Sequence, residues 1–159
     1  MTKRLEPSEH TPNLVKKMVD LAIAVRSSSL EDSLITLVEI RASQLNGCAY
    51  CLDMHVKEAK IAGERELRLL HIPVWHESTL FSERERAAMR WTEVLTRIPQ
   101  KGISNEHWDA ISAEFSEQEI AELTYLIMVI NAWNRQAIAF RFEPGSTDRL
   151  YGLDKAGLA

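Results

Sequence analysis

Three residues in the first half of the chain have the types and the spacing of a redox site. Cys48 and Cys51 are separated by two residues, and His55 follows four residues after the second cysteine. On a helix that advances about 100° per residue, all three side chains share one face, and residues three apart have Cβ atoms about 5 to 6 Å from each other. That distance is close to what a disulfide spans, so the spacing predicts that Cys48 and Cys51 can close one.

The same placement favours a reactive thiolate. The cysteines fall at the start of a predicted helix, where unpaired N–H groups and the helix dipole favour an anion. His55 lies one turn after Cys51, where its imidazole can accept the thiol proton or stabilise the thiolate. Because the thiolate is the form of cysteine that attacks a peroxide, the pattern favours redox chemistry.

Three other uses of these residues compete with redox chemistry. The two cysteines can be ordinary core residues, since cysteine is often buried. Cys48, Cys51 and His55 can also ligate zinc, but structural zinc sites usually bring a second pair of ligands, and the remaining histidines show no such pairing. Covalent haem attachment requires a histidine directly after the second cysteine, where this chain has Leu52. We therefore predict neither a metal nor another cofactor.

The elements that must position this site all have helical patterns. Apolar residues recur at helical spacing, and the few glycines and prolines fall between these stretches. The pattern predicts an all-α, single-domain bundle of about six or seven helices. The predicted helices cover about 12–26, 28–46, 48–62, 64–70, 82–98, 104–115 and 116–140, and Pro144 with Gly145 is expected to end the last one.

Charge and the distribution of apolar residues argue against nucleic-acid and membrane partners. The 159 residues carry 19 Lys and Arg against 23 Asp and Glu, a formal net charge of −4, and the basic residues are scattered. We therefore expect no nucleic-acid partner. The longest apolar run, residues 125–130, is too short to span a membrane, and residues 1–12 lack the apolar stretch of a secretory signal. We expect one domain over residues 1–159, a cytoplasmic location and no membrane partner.

Beyond these patterns, the chain resembles a known family. The stretch around the cysteines reads EIRASQLNGCAYCLDMHVKEAKIAG, and two later stretches read FSERERAAMRWTEVLTRIP and INAWNRQAIAFRFEPG. In order and spacing they resemble the alkylhydroperoxidase D-like (AhpD-like) proteins of the carboxymuconolactone decarboxylase superfamily, from about residue 30 to 145, with the core motif at about 30–63. The resemblance implies an all-α fold that forms homo-oligomers, and a peroxidase activity based on a cysteine pair and a histidine–carboxylate relay.

The resemblance also implies a role for each residue of the motif. Cys51 is then the peroxidatic cysteine, Cys48 the resolving cysteine and His55 the relay histidine. The relay glutamate of the family usually lies about twelve residues before the first cysteine, where this chain has Thr36. Glu39 lies one turn later on the same predicted helix, and we predict that it supplies the carboxylate. The alternative is that Glu39 is an ordinary exposed helix residue.

Two further groups are interpreted as structural. Glu58 lies two turns after Cys51 on nearly the same face, but the nearby lysines favour a solvated helix surface. Asn134, together with Trp133 and Arg135, places polar groups in an apolar helix, which favours the bonding of buried polar atoms over catalysis.

Three functions remain open on these grounds. The leading hypothesis is a thiol-dependent peroxidase that reduces a hydroperoxide and is itself reduced by an external dithiol or a redox partner protein. A thiol–disulfide exchange module would use the same CxxC pair without meeting a peroxide. A lyase of the carboxymuconolactone decarboxylase type would need a general acid or base but not two cysteines.

Overall fold

The computed structural model describes residues 2–158, and within that range it contains nine α-helices and no β-strand. The all-α prediction is confirmed, and α2 to α8 are the seven longer or intermediate helices that the pattern predicted. The two additional helices, α1 and α9, have four residues each. The helices are α1 (Pro7–His10), α2 (Pro12–Arg26), α3 (Asp32–Asn46), α4 (Ala49–Ile61), α5 (Glu66–His71), α6 (Glu83–Thr96), α7 (Asn105–Ser112), α8 (Glu117–Phe140) and α9 (Asp148–Tyr151).

Local sequence signals fix several helix ends. Ser82 and Ser116 accept hydrogen bonds from the N–H groups of Glu85 and Glu119, whose carboxylates accept the serine N–H in return. These two capping boxes satisfy N–H groups that a helix start otherwise leaves unpaired. α3 ends at Gly47, which has a φ of 68° that glycine adopts without a Cβ clash.

The predicted start of α3 is wrong. The helix begins at Asp32 rather than at Ser28, and Ser29 is bonded to another helix. The N–H and hydroxyl groups of Ser29 donate to Glu122 Oε2 on α8, at 3.1 and 2.6 Å. A long-range contact to α8 therefore takes the place of a local cap at this end of α3.

The predicted end of α8, at about residue 140, agrees with the structure. α8 ends at Phe140, where Arg141 takes a left-handed φ of 57°, before Pro144 is reached. The last part of the chain, which has no strong sequence pattern, then folds back onto α4. Lys57 Nζ donates to Asp148 Oδ2 at 2.7 Å and to Asp53 Oδ2 at 2.8 Å, which ties α9 to α4.

The core lies between α3, α4, α6 and α8, with α3 at its centre. Leu37, Val38 and Ile40 of α3 are buried, as are the residues of α6 and α8 that pack around them. α2 contributes little to this core, because Val25 is its one buried residue and Leu14 and Leu21 are exposed. No helix within residues 2–158 combines the length and the apolar character needed to cross a bilayer.

Candidate active site

The two cysteines lie at the start of α4. Cys48 is the N-cap of this helix, and its Sγ accepts a hydrogen bond from the Cys51 N–H group at 3.3 Å. Their Cα atoms are 5.4 Å apart, and the two sulfurs are joined in a disulfide. The prediction that this spacing can close a disulfide is confirmed.

Both sulfur-bearing residues are buried. Cys48 is 1% exposed and Cys51 is 3% exposed, and both pack against α3 and α8. Tyr50 and Phe142 cover this cluster, and the Tyr50 hydroxyl forms a 2.9 Å hydrogen bond with Thr147 Oγ1. A large molecule therefore cannot reach either sulfur unless this cover moves.

His55 lies one turn after Cys51 on α4 and is also buried, with 7% exposure. Its Nδ1 atom is 2.8 Å from Glu58 Oε2 and 3.3 Å from Glu39 Oε2. Because an ionised carboxylate only accepts hydrogen bonds, this geometry assigns a proton to Nδ1. Nε2 is then the nitrogen that can accept a proton from a thiol.

Glu39 is buried on α3, with 6% exposure, and faces His55 rather than solvent. Thr36, one turn earlier, donates its hydroxyl to the Asp32 carbonyl oxygen at 2.9 Å. The structure therefore brings Glu39, and not Thr36, to the histidine.

Arg26, the last residue of α2, joins the two carboxylates. Its Nη2 donates to Glu39 Oε2 and, at 2.9 Å, to Glu58 Oε2, and it lies 3.4 Å from His55 Nδ1. Burial opposes protonation of His55, but the neighbouring Glu39 and Glu58 carboxylates outweigh burial and the Arg26 charge, so the pKa of His55 is raised. Burial alone would raise the pKa of Glu58, but its bonds to His55 and Arg26 lower it.

Two members of this cluster were not identified from the sequence. Glu58 is wrongly interpreted there as a solvated surface residue, although its position three residues after His55 carries the signal for a contact. Arg26 has no such local signal, because it reaches His55 only through the packing of α2 beside α3 and α4. The final cluster is Arg26, Glu39, His55 and Glu58, which we call the relay cluster.

The relay cluster also contains metal-ligand types. Glu39, His55 and Glu58 each bring one ligand-type atom within 4.8 Å of the others. However, Arg26 already bonds both carboxylates with a permanent positive charge. A cation would have to displace the guanidinium, so the arrangement favours proton chemistry over metal binding.

A separate set of uncharged polar groups anchors α3 to α8. Asn46 Nδ2 donates to Asn134 Oδ1 at 2.8 Å and to Asn131 Oδ1 at 3.0 Å, and Asn134 Nδ2 donates to Ser43 Oγ at 3.1 Å. Asn134 is fully buried. The structural interpretation of Asn134 is therefore confirmed, and these bonds hold α3, which carries Glu39, in register with α8.

The comparisons with known proteins agree with this architecture. The Carboxymuconolactone decarboxylase family matches the chain over residues 12–94, which is more than half of its 159 residues. The uncharacterized protein YdfG of Bacillus subtilis (strain 168) is 35% identical over 139 residues, which cover 87% of this chain and 95% of YdfG.

Solved structures show the same fold. A protein of unknown function from Agrobacterium tumefaciens, suggested to be the antioxidant defence protein AhpD, has a TM-score of 0.86 and 38% identity, covering 90% of this chain and 98% of its own. The debrominase Bmp8 has a TM-score of 0.78 and 20% identity, covering 93% of this chain and 79% of its own, which is a likeness of fold alone. The chain belongs to the carboxymuconolactone decarboxylase family, as an AhpD-like member.

Proposed function

We propose that this protein is a thiol-dependent peroxidase that reduces hydroperoxides with Cys51 and Cys48. The observation that carries the proposal is a buried Cys48–Cys51 disulfide with His55 one helical turn away, whose Nδ1 is held by two carboxylates. A general base beside a thiol is the arrangement that produces a nucleophilic thiolate.

The first step takes place at Cys51. In the reduced protein, His55 Nε2 accepts the Cys51 proton, and the thiolate attacks one oxygen of the hydroperoxide. A sulfur–oxygen bond forms, the oxygen–oxygen bond breaks, and the departing alkoxide takes a proton from His55 to leave as the alcohol. Cys51 becomes a sulfenic acid, which is two electrons more oxidised than the thiol.

The second step uses Cys48. Its sulfur attacks the Cys51 sulfur, a sulfur–sulfur bond forms, and the hydroxyl group of the sulfenic acid leaves as water with the Cys48 proton. The hydroperoxide has then been reduced to an alcohol and water, and the cysteines have been oxidised to the disulfide. An external dithiol, or a redox partner protein, must return the disulfide to the dithiol form.

The burial of the site favours small hydroperoxides. With exposures of 1% and 3%, Cys48 and Cys51 lie beneath Tyr50 and Phe142, so a compact substrate needs less movement than a large one. The reductant must reach a sulfur atom directly, because disulfide exchange proceeds through a mixed disulfide. Reduction by a protein partner would therefore need this cover to open.

The names of similar proteins support either a peroxidase-related function or a decarboxylase-like function. The Agrobacterium tumefaciens protein at 38% identity is suggested to be AhpD, whereas the family name includes a decarboxylase. The disulfide favours redox chemistry over decarboxylation, because a decarboxylase needs an acid or a base but no cysteine pair.

The proposal is tested by turnover with a dithiol donor. The wild-type protein should consume hydrogen peroxide and an organic hydroperoxide in the presence of dithiothreitol, and the Cys48→Ser/Cys51→Ser double variant should not. A wild-type protein that reduces small disulfides but leaves both peroxides intact would instead be an exchange module. Lactone decarboxylation that survives loss of both cysteines would identify a lyase.

We also propose that the chain forms a homo-oligomer in the cytoplasm. Exposed apolar side chains on α8, Tyr125, Met128 and Ile138, support a second copy covering this helix. Light scattering at micromolar concentration should give a mass well above the 18.1 kDa of one chain. A mass equal to one chain would contradict the oligomer.

A further inference from the structure

Glu58 is the carboxylate of the relay cluster that is both bonded to His55 and open to solvent. Its Oε2 lies 2.8 Å from His55 Nδ1 and 2.9 Å from Arg26 Nη2. Its side chain is 29% exposed, whereas the side chains of Glu39 and His55 are 7% and 8% exposed. Glu58 is therefore the carboxylate through which water can meet the buried histidine.

The exposed side of Glu58 faces a groove of about 510 Å³. The groove is formed by the end of α2, the start of α3, the end of α4 and residues 151–155. Glu58 and Arg26 belong to its wall, but His55, Glu39 and the two cysteines are not among the described residues that line it. Water in the groove thus reaches the relay cluster at Glu58 and Arg26, and of these two only Glu58 can accept a proton.

We propose that Glu58 is a positioning residue that exchanges protons between His55 Nδ1 and the water of the groove. This inference rests on the proposed peroxidase function, in which His55 gains and loses a proton beside a buried cysteine pair. When His55 is protonated, the N–H bond at Nδ1 breaks, an O–H bond forms on Glu58, and Glu58 then gives the proton to water. The reverse sequence charges the histidine, and no group is oxidised or reduced.

The charges around Glu58 suit a group that holds a proton only briefly. Arg26 faces it from α2, Glu39 lies across His55 on α3, and Asp32 and Lys155 line the same groove. Although burial acts in the opposite direction, the bonds to His55 and Arg26 lower the pKa of Glu58, so its resting form is the carboxylate. Glu39 cannot replace it in this exchange, because its side chain is buried.

The test measures the exchange of the His55 N–H proton with water by nitrogen-15 NMR, in the intact oxidised protein. In Glu58→Gln, which keeps the shape of the side chain but cannot take up a proton in this way, exchange should slow by about tenfold or more. Asp32→Asn is the matched control, since it removes a negative charge from the same groove without a hydrogen bond to His55 in the described part of the chain. Exchange in this control should stay within about twofold of the wild type.

Chemical rescue separates proton exchange from a purely structural role. Added formate should restore exchange in Glu58→Ala in proportion to its concentration, and Glu58→Asp should retain most of the wild-type rate. Unchanged exchange in Glu58→Gln, or no response of Glu58→Ala to formate, would overturn the inference. Since no peroxide is used, slowed exchange in a protein that lacks peroxidase activity would reject the proposed function and leave this inference standing.

Discussion

Arg26 and Arg84 each bridge a pair of carboxylates, but of these two only Arg26 does so beside a histidine. Arg26 binds Glu39 and Glu58 through the single atom Nη2, and His55 completes the relay cluster. The histidine lies 3.4 Å from the same Nη2 atom. Protonation of His55 therefore changes the balance of charge at both carboxylates.

Arg84 bridges Glu31 and Glu119 in a different way. Its Nε and Nη2 donate to Glu31 at 3.0 and 3.2 Å, and its Nη1 donates to the Glu114 carbonyl oxygen at 2.7 Å. Its guanidinium carbon lies 4.0 Å from the centre of the Phe115 ring. The hydrogen bond from the Ser116 N–H group has the largest effect on Glu119, and the Arg84 contact has the next largest. Together they lower the pKa of Glu119 to about 2.

The difference shows what separates a structural ion pair from a reactive one. Around Arg84, no histidine shares the carboxylates in the described part of the chain, and the cluster joins α6 to the starts of α3 and α8. Around Arg26, the carboxylates also bond a buried histidine, His55, and they raise its pKa against the effect of burial. We expect perturbations of the relay cluster to change reactivity, and perturbations at Arg84 to change stability alone.

The largest expected effect comes from the cysteines beside the relay cluster. Cys51→Ser should abolish peroxide consumption, while Cys48→Ser should complete one turnover and leave a sulfenic acid on Cys51. The reason is that His55 is four residues from Cys51 but seven from Cys48, so it serves Cys51 more directly. A sulfenic-acid label read by mass spectrometry should locate the oxidised sulfur. Labelling of Cys48 in Cys51→Ser, with peroxide still consumed, would reverse the two roles.

The next effect tests whether His55 and Glu39 act together. His55→Ala should slow oxidation of Cys51 by about 10² to 10⁴, the usual contribution of a positioned general base. Glu39→Gln should slow it by about tenfold or more. Stopped-flow rates for the single and double variants should be non-additive in log rate, because both residues serve one proton transfer.

Glu31→Gln is the matched control for Glu39→Gln. It removes a carboxylate from the other arginine, Arg84, and so should leave the rate of peroxide consumption unchanged. Equal rates for Glu39→Gln and the wild type, or purely additive effects with His55→Ala, would remove Glu39 from the relay.

The sequence predicted the cysteine pair and His55 better than the residues that contact them from other helices. The CxxC spacing and His55 lie within one helix, where the 3.6-residue period determines which side chains meet, so their grouping could be inferred directly. Glu39 was placed by a resemblance and a one-turn shift. Its contact with His55 depends on how α3 packs against α4, which periodicity does not specify.

The residues that were missed depend on contacts between distant segments. Arg26 reaches the site because α2 ends beside it, and Ser29 donates to Glu122 on α8 instead of capping the start of α3. Residues 141–158 have too few apolar repeats to predict a helix, yet they pack on α4 through the Lys57–Asp148 pair. In each case a tertiary contact overrides a weak local preference.

A smaller effect separates the two arginines by their influence on His55. Arg26→Gln should raise the pKa of His55 further, because the guanidinium charge lowers that pKa. Arg84→Gln should leave the His55 pKa unchanged and lower the free energy of unfolding by about 0.5 to 1 kcal/mol, as expected for a partly exposed ion pair. NMR titration of the His55 ring protons measures the pKa shift, and urea unfolding measures the change in stability. An equal shift of the His55 pKa in both variants would contradict the distinction.

The smallest effect is a pH dependence of stability. Since the folded pKa of His55 is above the ordinary value of 6.5, the folded chain binds its proton more tightly than the unfolded chain. This contribution is complete below about pH 6.5 and is lost as the pH rises through the folded value. Urea unfolding between pH 6 and pH 9 should show the loss in the wild type and a weaker one in His55→Gln. His10→Gln, which removes an exposed histidine, should behave like the wild type.

The most direct test of the central claim is a single turnover of the fully reduced wild-type protein with one equivalent of hydroperoxide. Peroxide, alcohol and free thiols are measured after mixing, and the intact chain is weighed by mass spectrometry. We predict that both thiols disappear for each hydroperoxide reduced, and that the chain loses two hydrogens by closing the Cys48–Cys51 disulfide. Intact hydroperoxide after mixing, with both thiols still reduced, would contradict the account.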